Sequence, residues 1–231
     1  MNKISFNNAW LCYRTGHPEE NFSTDAPHDA MLLDGKSETS PGGVNNGWYD
    51  AQDYTYEKKF FVPAEWHGKV LILEFEGVYR KATVSVNGQK AAYHDYGYTG
   101  FYIDISEFVS YGEENHLKVE VVNSDQPNSR WYSGTGIYRP VWLYILPMKH
   151  IKMDGIRVTT MDYKTRSISV SVETEGDGEL LFEVFDQDRV IAEKKSMSEN
   201  GQALWETSIP AAELWSPESP KLYTCRVTFG E

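Results

Sequence analysis

Val84-Ser-Val-Asn-Gly-Gln-Lys-Ala-Ala-Tyr93 decides the fold class. Asn87-Gly88 stands between residues that suit extended chain, and both central positions of a two-residue hairpin turn need a positive φ, which Asn and Gly accept at little cost. The segment therefore reads as a β-hairpin. The same period-two pattern continues on both sides, in Tyr54–Val62, Val70–Phe75, Ala82–Val86, Leu117–Val122 and Val141–Leu146. These runs are rich in β-branched and aromatic residues and are bounded by turn formers. Helix-like pieces are confined to Pro63–Gly68 and Ala211–Trp215, each long enough for one turn. An all-β chain with turns at such short intervals implies sandwiches or barrels.

A boundary is expected near Pro147-Met-Lys-His150, giving one domain over 1–147 and a second over 148–231. Beyond the boundary six strands are expected: Gly155–Thr160, Ser167–Val172, Glu179–Phe185, Val190–Lys195, Ala203–Ile209 and Leu222–Phe229. An immunoglobulin-like sandwich has roughly seven. With an apolar strand at its end, the second domain reads as a sandwich cut short, its Leu222–Phe229 edge open to pairing with a second copy.

Composition narrows the function. The 231 residues carry 22 Lys+Arg against 34 Asp+Glu, a net charge of −12, and both sides of Pro147 are acidic. Nucleic-acid binding needs a basic footprint, and an anionic membrane surface would repel such a chain. No run approaches the roughly 20 apolar residues of a membrane span. The N-terminal stretch has no apolar core of a secretory signal, which points to a cytoplasmic setting. Cys12 and Cys225, the only two cysteines, lie near opposite ends of the chain and read as free thiols.

Chemical motifs are few. There is no nucleophile elbow, no zinc-binding helix motif and no phosphate loop, and Ser133-Gly-Thr-Gly136 lacks the strand-to-helix setting of a dinucleotide site. Neither a metal nor a cofactor is called for. His28-Asp29 pairs a potential base with a carboxylate, yet neighbours on extended chain point oppositely, so capping or packing is the simpler reading. One segment stands out: Asn128-Ser-Arg-Trp-Tyr-Ser-Gly-Thr-Gly-Ile-Tyr-Arg-Pro140. Aromatic faces stack on sugar rings and guanidinium groups grip vicinal hydroxyls. Arginine stacked on an aromatic ring and glycines used for close packing would look the same, so the composition leaves both readings open.

Seven stretches in order resemble the N-terminal region of family 2 glycoside hydrolases, the β-galactosidase, β-glucuronidase and β-mannosidase group. They are Pro27–Met31, Tyr54–Phe60, Leu73–Arg80, Val84–Gly88, Tyr96–Phe101, Tyr111–Asn115 and Ser129–Trp142, the last being the most specific. Leu214–Tyr223 resembles the late part of the family's second domain. The resemblance implies a jelly-roll sugar-binding domain, then an immunoglobulin-like sandwich, then a catalytic (β/α)₈ barrel that needs about 250 residues and has no counterpart here. Family 2 chemistry is retaining and uses two carboxylates about 5 to 5.5 Å apart. The resemblance puts both in the barrel, so no residue of this chain, Glu74 and Asp125 included, is expected to be catalytic.

By register from Gly136-Ile-Tyr-Arg139, the position acidic in some relatives falls on Arg130, which can donate hydrogen bonds but not accept them. Arg130, with Trp131 and Asn128 beside it, is the expected sugar-side group, while Gly134, Gly136 and Arg139 are expected to hold the loop. The expected partners are a β-linked carbohydrate and the barrel of the same chain. A free-standing carbohydrate-binding module and an assembly domain at subunit contacts, including those of a homo-oligomer, are the alternatives.

Overall fold

The computed structural model describes residues 2–230. The chain forms two compact units, the first ending at Leu146 and the second starting at Pro147.

The first unit has ten strands: β1 (Asn2–Ser5), β2 (Trp10–Arg14), β3 (Phe22–Thr24), β4 (Tyr54–Val62), β5 (Val70–Phe75), β6 (Ala82–Val86), β7 (Gln89–His94), β8 (Phe101–Asp104), β9 (Glu113–Val121) and β10 (Val141–Leu146). They build two antiparallel sheets, β1-β10-β5-β8 and β3-β2-β4-β9-β6-β7. Strict alternation explains the larger one. Along β6, Ala82, Val84 and Val86 are buried while Thr83 and Ser85 are half-exposed, and in β9 Leu117, Val119 and Val121 face the same core. Val84 pairs with Val119 and Val86 with Leu117, so the apolar faces coincide. Across the core lie Leu71, Leu73 and Phe75 of β5 and Val141 and Leu143 of β10. Each such side chain contributes about 1.5–3 kcal/mol on burial.

The Asn87-Gly88 hairpin forms as the sequence requires, with φ values of 50° and 78°. Its register shifts between Val84 and Ser85, where a bulge takes up Ala91. Asn87 does more than turn the chain. Its Nδ2 donates to Phe108 O at 2.9 Å and Asn115 Oδ1 at 2.7 Å, and its Oδ1 accepts from His116 N at 2.9 Å, tying the turn to the start of β9.

In the second unit the strands are β11 (His150–Asp162), β12 (Ser167–Glu175), β13 (Glu179–Asp186), β14 (Arg189–Met197), β15 (Gln202–Ser208) and β16 (Thr224–Phe229). Two three-stranded sheets, β11-β12-β15 and β14-β13-β16, enclose Val170, Val172, Leu180, Phe182, Val184 and Trp205. Phe182 and Trp205 meet at 5.7 Å between ring centroids. On β13, Glu183 receives both the Nε (2.8 Å) and Nη2 (2.9 Å) of Arg226.

All twelve strands read from the sequence, both strands of the hairpin included, are present; β1, β2, β3 and β8 were not foreseen. Pro63–Gly68 does hold a 3-10 turn, at Ala64–Trp66. The turn expected over Ala211–Trp215 is not helical. After Ala212 donates to Ile209 O, Glu213 N–H goes to the Tyr223 hydroxyl at 2.8 Å instead of to a preceding carbonyl, and the chain runs irregularly to β16. Cys12 and Cys225 are free thiols, and burial pushes Cys12 up to about 12.

Candidate functional site

The segment between β9 and β10 is anchored from below by two polar side chains. Asn123 is fully buried. Its Nδ2 donates to Gly134 O at 3.1 Å and Thr135 Oγ1 at 2.6 Å, while its Oδ1 accepts from Gln126 Nε2 at 3.1 Å and Asn128 Nδ2 at 2.8 Å. Asp53 fixes the same corner through the N–H groups of Asn123 and Ser124, both at 2.8 Å. Asp29 is the second anchor. Its Oδ1 accepts from Met31 N at 3.0 Å, capping the 3-10 turn Ala30–Leu33, and from Thr135 N at 2.9 Å; its Oδ2 takes the Tyr132 hydroxyl at 2.5 Å.

His28 points the other way, as the extended chain requires, and is hydrogen-bonded through Nδ1 to the Tyr56 hydroxyl at 2.8 Å. The pair His28-Asp29 is thus a packing and capping pair.

Gly134 and Gly136 are required by this scaffold. Both have positive φ, 71° and 117°, and a Cβ on Gly134 would press on the Asp29 carboxylate at 2.9 Å, while one on Gly136 would overlap the Tyr56 hydroxyl. Gly136 also exchanges two backbone hydrogen bonds with Tyr79, at 2.8 and 2.9 Å. Arg139 donates its N–H to Gly77 O at 3.3 Å and lays its guanidinium 5.3 Å from the Tyr138 ring, with no side-chain hydrogen bond among the described residues.

Beside this scaffold lies a hollow of about 540 Å³, walled by the turn Asp95–Tyr98 and the segment Asp125–Arg130, with Tyr79 and Arg80 behind. Tyr138 fastens the turn by donating its hydroxyl to Gly97 O at 2.7 Å. Tyr98 meets Tyr79 edge-on at 5.4 Å and Tyr96 at 5.7 Å. Asp125 accepts from Lys81 at 2.5 Å and Arg80 at 3.4 Å. Partial burial opposes its ionisation, but the Lys81 hydrogen bond and the Arg80 and Lys81 charges outweigh that and hold the carboxyl below its usual range.

Of the three residues expected on the sugar side, the structure brings Arg130 and Asn128 to this hollow, and Trp131 is not on its wall. Arg130 is exposed and makes no hydrogen bond or ion pair among the described residues. Trp131 is 75% exposed, and Ser129 Oγ donates to its carbonyl at 2.6 Å. Asn128 is largely spent: its Nδ2 serves Asn123 and Asp125, and its Oδ1 accepts the Tyr79 hydroxyl at 3.1 Å. It positions the loop. The aromatic wall Tyr79, Tyr96 and Tyr98 was missed as a site, although all three lie in stretches, Leu73–Arg80 and Tyr96–Phe101, that carry the family resemblance.

Glu74 is taken up in the β5–β10 sheet, where its Oε2 accepts the Tyr144 hydroxyl at 2.7 Å. Among the described residues, His17, Glu19 and Glu20 could together reach one metal ion; all three are exposed, and His17 Nδ1 is already hydrogen-bonded to Glu19 Oε1 at 3.2 Å.

Two family models match consecutive parts of the chain. "Glycosyl hydrolases family 2, sugar binding domain" covers residues 43–147, and "Glycosyl hydrolases family 2" covers 150–231. A β-galactosidase of Bacteroides ovatus is 33% identical over 214 residues, 87% of this chain and 25% of the relative. A putative β-glucuronidase of Formosa agariphila is 29% identical over 97% of this chain and 23% of its own length. The crystal structure of a family 2 member from Bacteroides cellulosilyticus superposes with a TM-score of 0.83 at 27% identity, covering 99% of this chain and 33% of that one. The chain therefore spans about a quarter of the length of these curated relatives. With jelly-roll and immunoglobulin-like sandwiches in the family's order and matches along nearly its whole length, the chain belongs to glycosyl hydrolase family 2.

Proposed function

We propose that this chain is the non-catalytic, N-terminal part of a retaining β-glycosidase, and that its 128–131 loop shapes the sugar site of a barrel carried elsewhere in the same protein. The observation that carries the reading is Arg130: an exposed guanidinium without a partner among the described residues, on a loop whose base is fixed by Asn123 and Asp29. An arginine with no structural duty on a rigid base suits substrate orientation, because positioning depends on groups held in place before the ligand arrives. Trp131 offers a ring face beside it, Asn128 sets the loop's course, and Gly134, Gly136 and Arg139 hold its return to β10.

Asp29, Glu74 and Asp125 are engaged in structural hydrogen bonds. Bond cleavage is accordingly assigned to the region that the relatives have and this chain does not span. Hydrolysis of aryl β-glycosides tests the division: the 231-residue chain should release no aglycone, and the longer protein carrying it should. Turnover by the chain alone would overturn the reading.

A further inference from the structure

The hollow beside the 128–131 loop contains more hydrogen-bond donors than the protein uses. Arg130 lines it with its guanidinium uncommitted. Arg80, a second lining residue, spends only Nη1, on Asp125 at 3.4 Å, and leaves Nε and Nη2 without a partner among the described residues. The two carboxylates on the wall each accept from a protein donor. Asp125 is held by Lys81 and Arg80, and Asp95 Oδ1 accepts the Tyr93 hydroxyl at 3.2 Å. Counted with Lys81, three cationic side chains meet two carboxylates here, a local excess of positive charge in a chain of net charge −12. A planar guanidinium matches a carboxylate or sulfate through paired N–H donors, a geometry neutral hydroxyls do not reproduce. Tyr96 and Tyr98, which line the same hollow, are 61% and 48% exposed.

We infer that this hollow binds a sugar ring bearing an anionic group, a uronate carboxylate or a sulfate ester, with Arg130 and Arg80 on the anion and Tyr98 and Tyr96 against the ring. The inference rests on the reading of the 128–131 loop as sugar-facing and adds the class of sugar. All lining residues belong to the first unit, so this contact needs nothing beyond the present chain.

The test is an NMR titration of the 231-residue chain, following arginine Nε–H and tyrosine ring signals, with methyl β-glucuronide, galactose 6-sulfate, methyl β-galactoside and inorganic sulfate. At least one acidic sugar should bind about tenfold more tightly than the neutral galactoside and than inorganic sulfate. The tighter of the two acidic sugars identifies the anion. Arg130→Gln should remove that advantage and leave the neutral sugar unaffected, whereas Tyr98→Ala should weaken both; neither residue is buried, so backbone spectra report that the variants stay folded. Equal affinity for acidic and neutral sugars, tighter binding of bare sulfate, or no binding at millimolar concentration would each overturn the inference. A silent titration leaves the proposed function standing, because that is read from catalysis by the longer protein.

Discussion

The Tyr132 hydroxyl donates to Asp29 Oδ2 at 2.5 Å across 103 residues of sequence, and this bond joins the site loop to the turn before β4. The same carboxylate accepts two backbone N–H groups, so one side chain caps a turn and holds the loop at once. Burial, then the bond to Asp29, pushes the Tyr132 phenol well above its ordinary range. Asp29→Ala should cost about 2–4 kcal/mol, the sum expected when a cap and charge-assisted bonds are lost together. Urea unfolding of the first unit measures it. A cost under about 0.5 kcal/mol, the level of an ordinary surface change, would show that the carboxylate is dispensable.

Gly136 and Gly88 separate two kinds of glycine requirement. Both have positive φ, 117° and 78°, but a Cβ on Gly88 meets nothing within 4 Å, whereas one on Gly136 runs into the Tyr56 hydroxyl. Gly88→Ala should cost about 1 kcal/mol from backbone strain alone. Gly136→Ala adds overpacking of a fully buried ring and should cost at least about 3 kcal/mol. Comparison of the two denaturation midpoints checks this, and equal losses would refute it.

Buried Asn123 should be the most sensitive polar residue of the loop. Asn123→Ala leaves Gly134 O and the Gln126 and Asn128 amides short of a partner, at about 2–4 kcal/mol. Hydrogen exchange should rise through 124–135 and stay unchanged in the β6–β7 hairpin. Uniform protection in the variant would count against the hub role.

His28 gives the first unit a pH dependence. Burial pushes its imidazole below the ordinary 6.5, against the pull of Asp29. The unfolded chain therefore takes up a proton near that pH more readily than the folded one, and stability present at neutral pH is lost as pH falls from about 6.5 towards the folded-state value. His28→Gln should flatten the change in urea midpoint between about pH 7.5 and 5.5. The same slope in both proteins would assign the effect elsewhere.

Much of the fold was legible because its strands carry the signal in their own residues. Asn87-Gly88 demands positive φ, and the alternation of β6, β9 and β12 marks which face is buried. Strands β1, β2, β3 and β8 have three to five residues, too few for a period to show, and their pairing is supplied by longer neighbours such as β10 and β4. Ala211–Trp215 has helix-forming composition but is claimed by the Tyr223 hydroxyl, a partner ten residues away. At the site, the glycines of Gly134-Thr-Gly136 could be read as close-approach positions, but what they approach, Asp29 and Tyr56, lies far earlier in the chain. Asn123, in Val-Asn-Ser-Asp, looks like any turn asparagine; its burial comes only from the folded loop. Asn128 looked available for a ligand because the sequence does not show Asn123 and Tyr79 beside it.

The central claim is that this part of the protein orients sugar through Arg130 and does no bond chemistry itself. Steady-state hydrolysis of an aryl β-glycoside by the longer enzyme carrying this segment, wild type against Arg130→Ala, tests it most directly. The account predicts a fall in kcat/KM of at least about tenfold, as expected for loss of a charged positioning contact, with an unchanged melting temperature. Unchanged kinetics would contradict it.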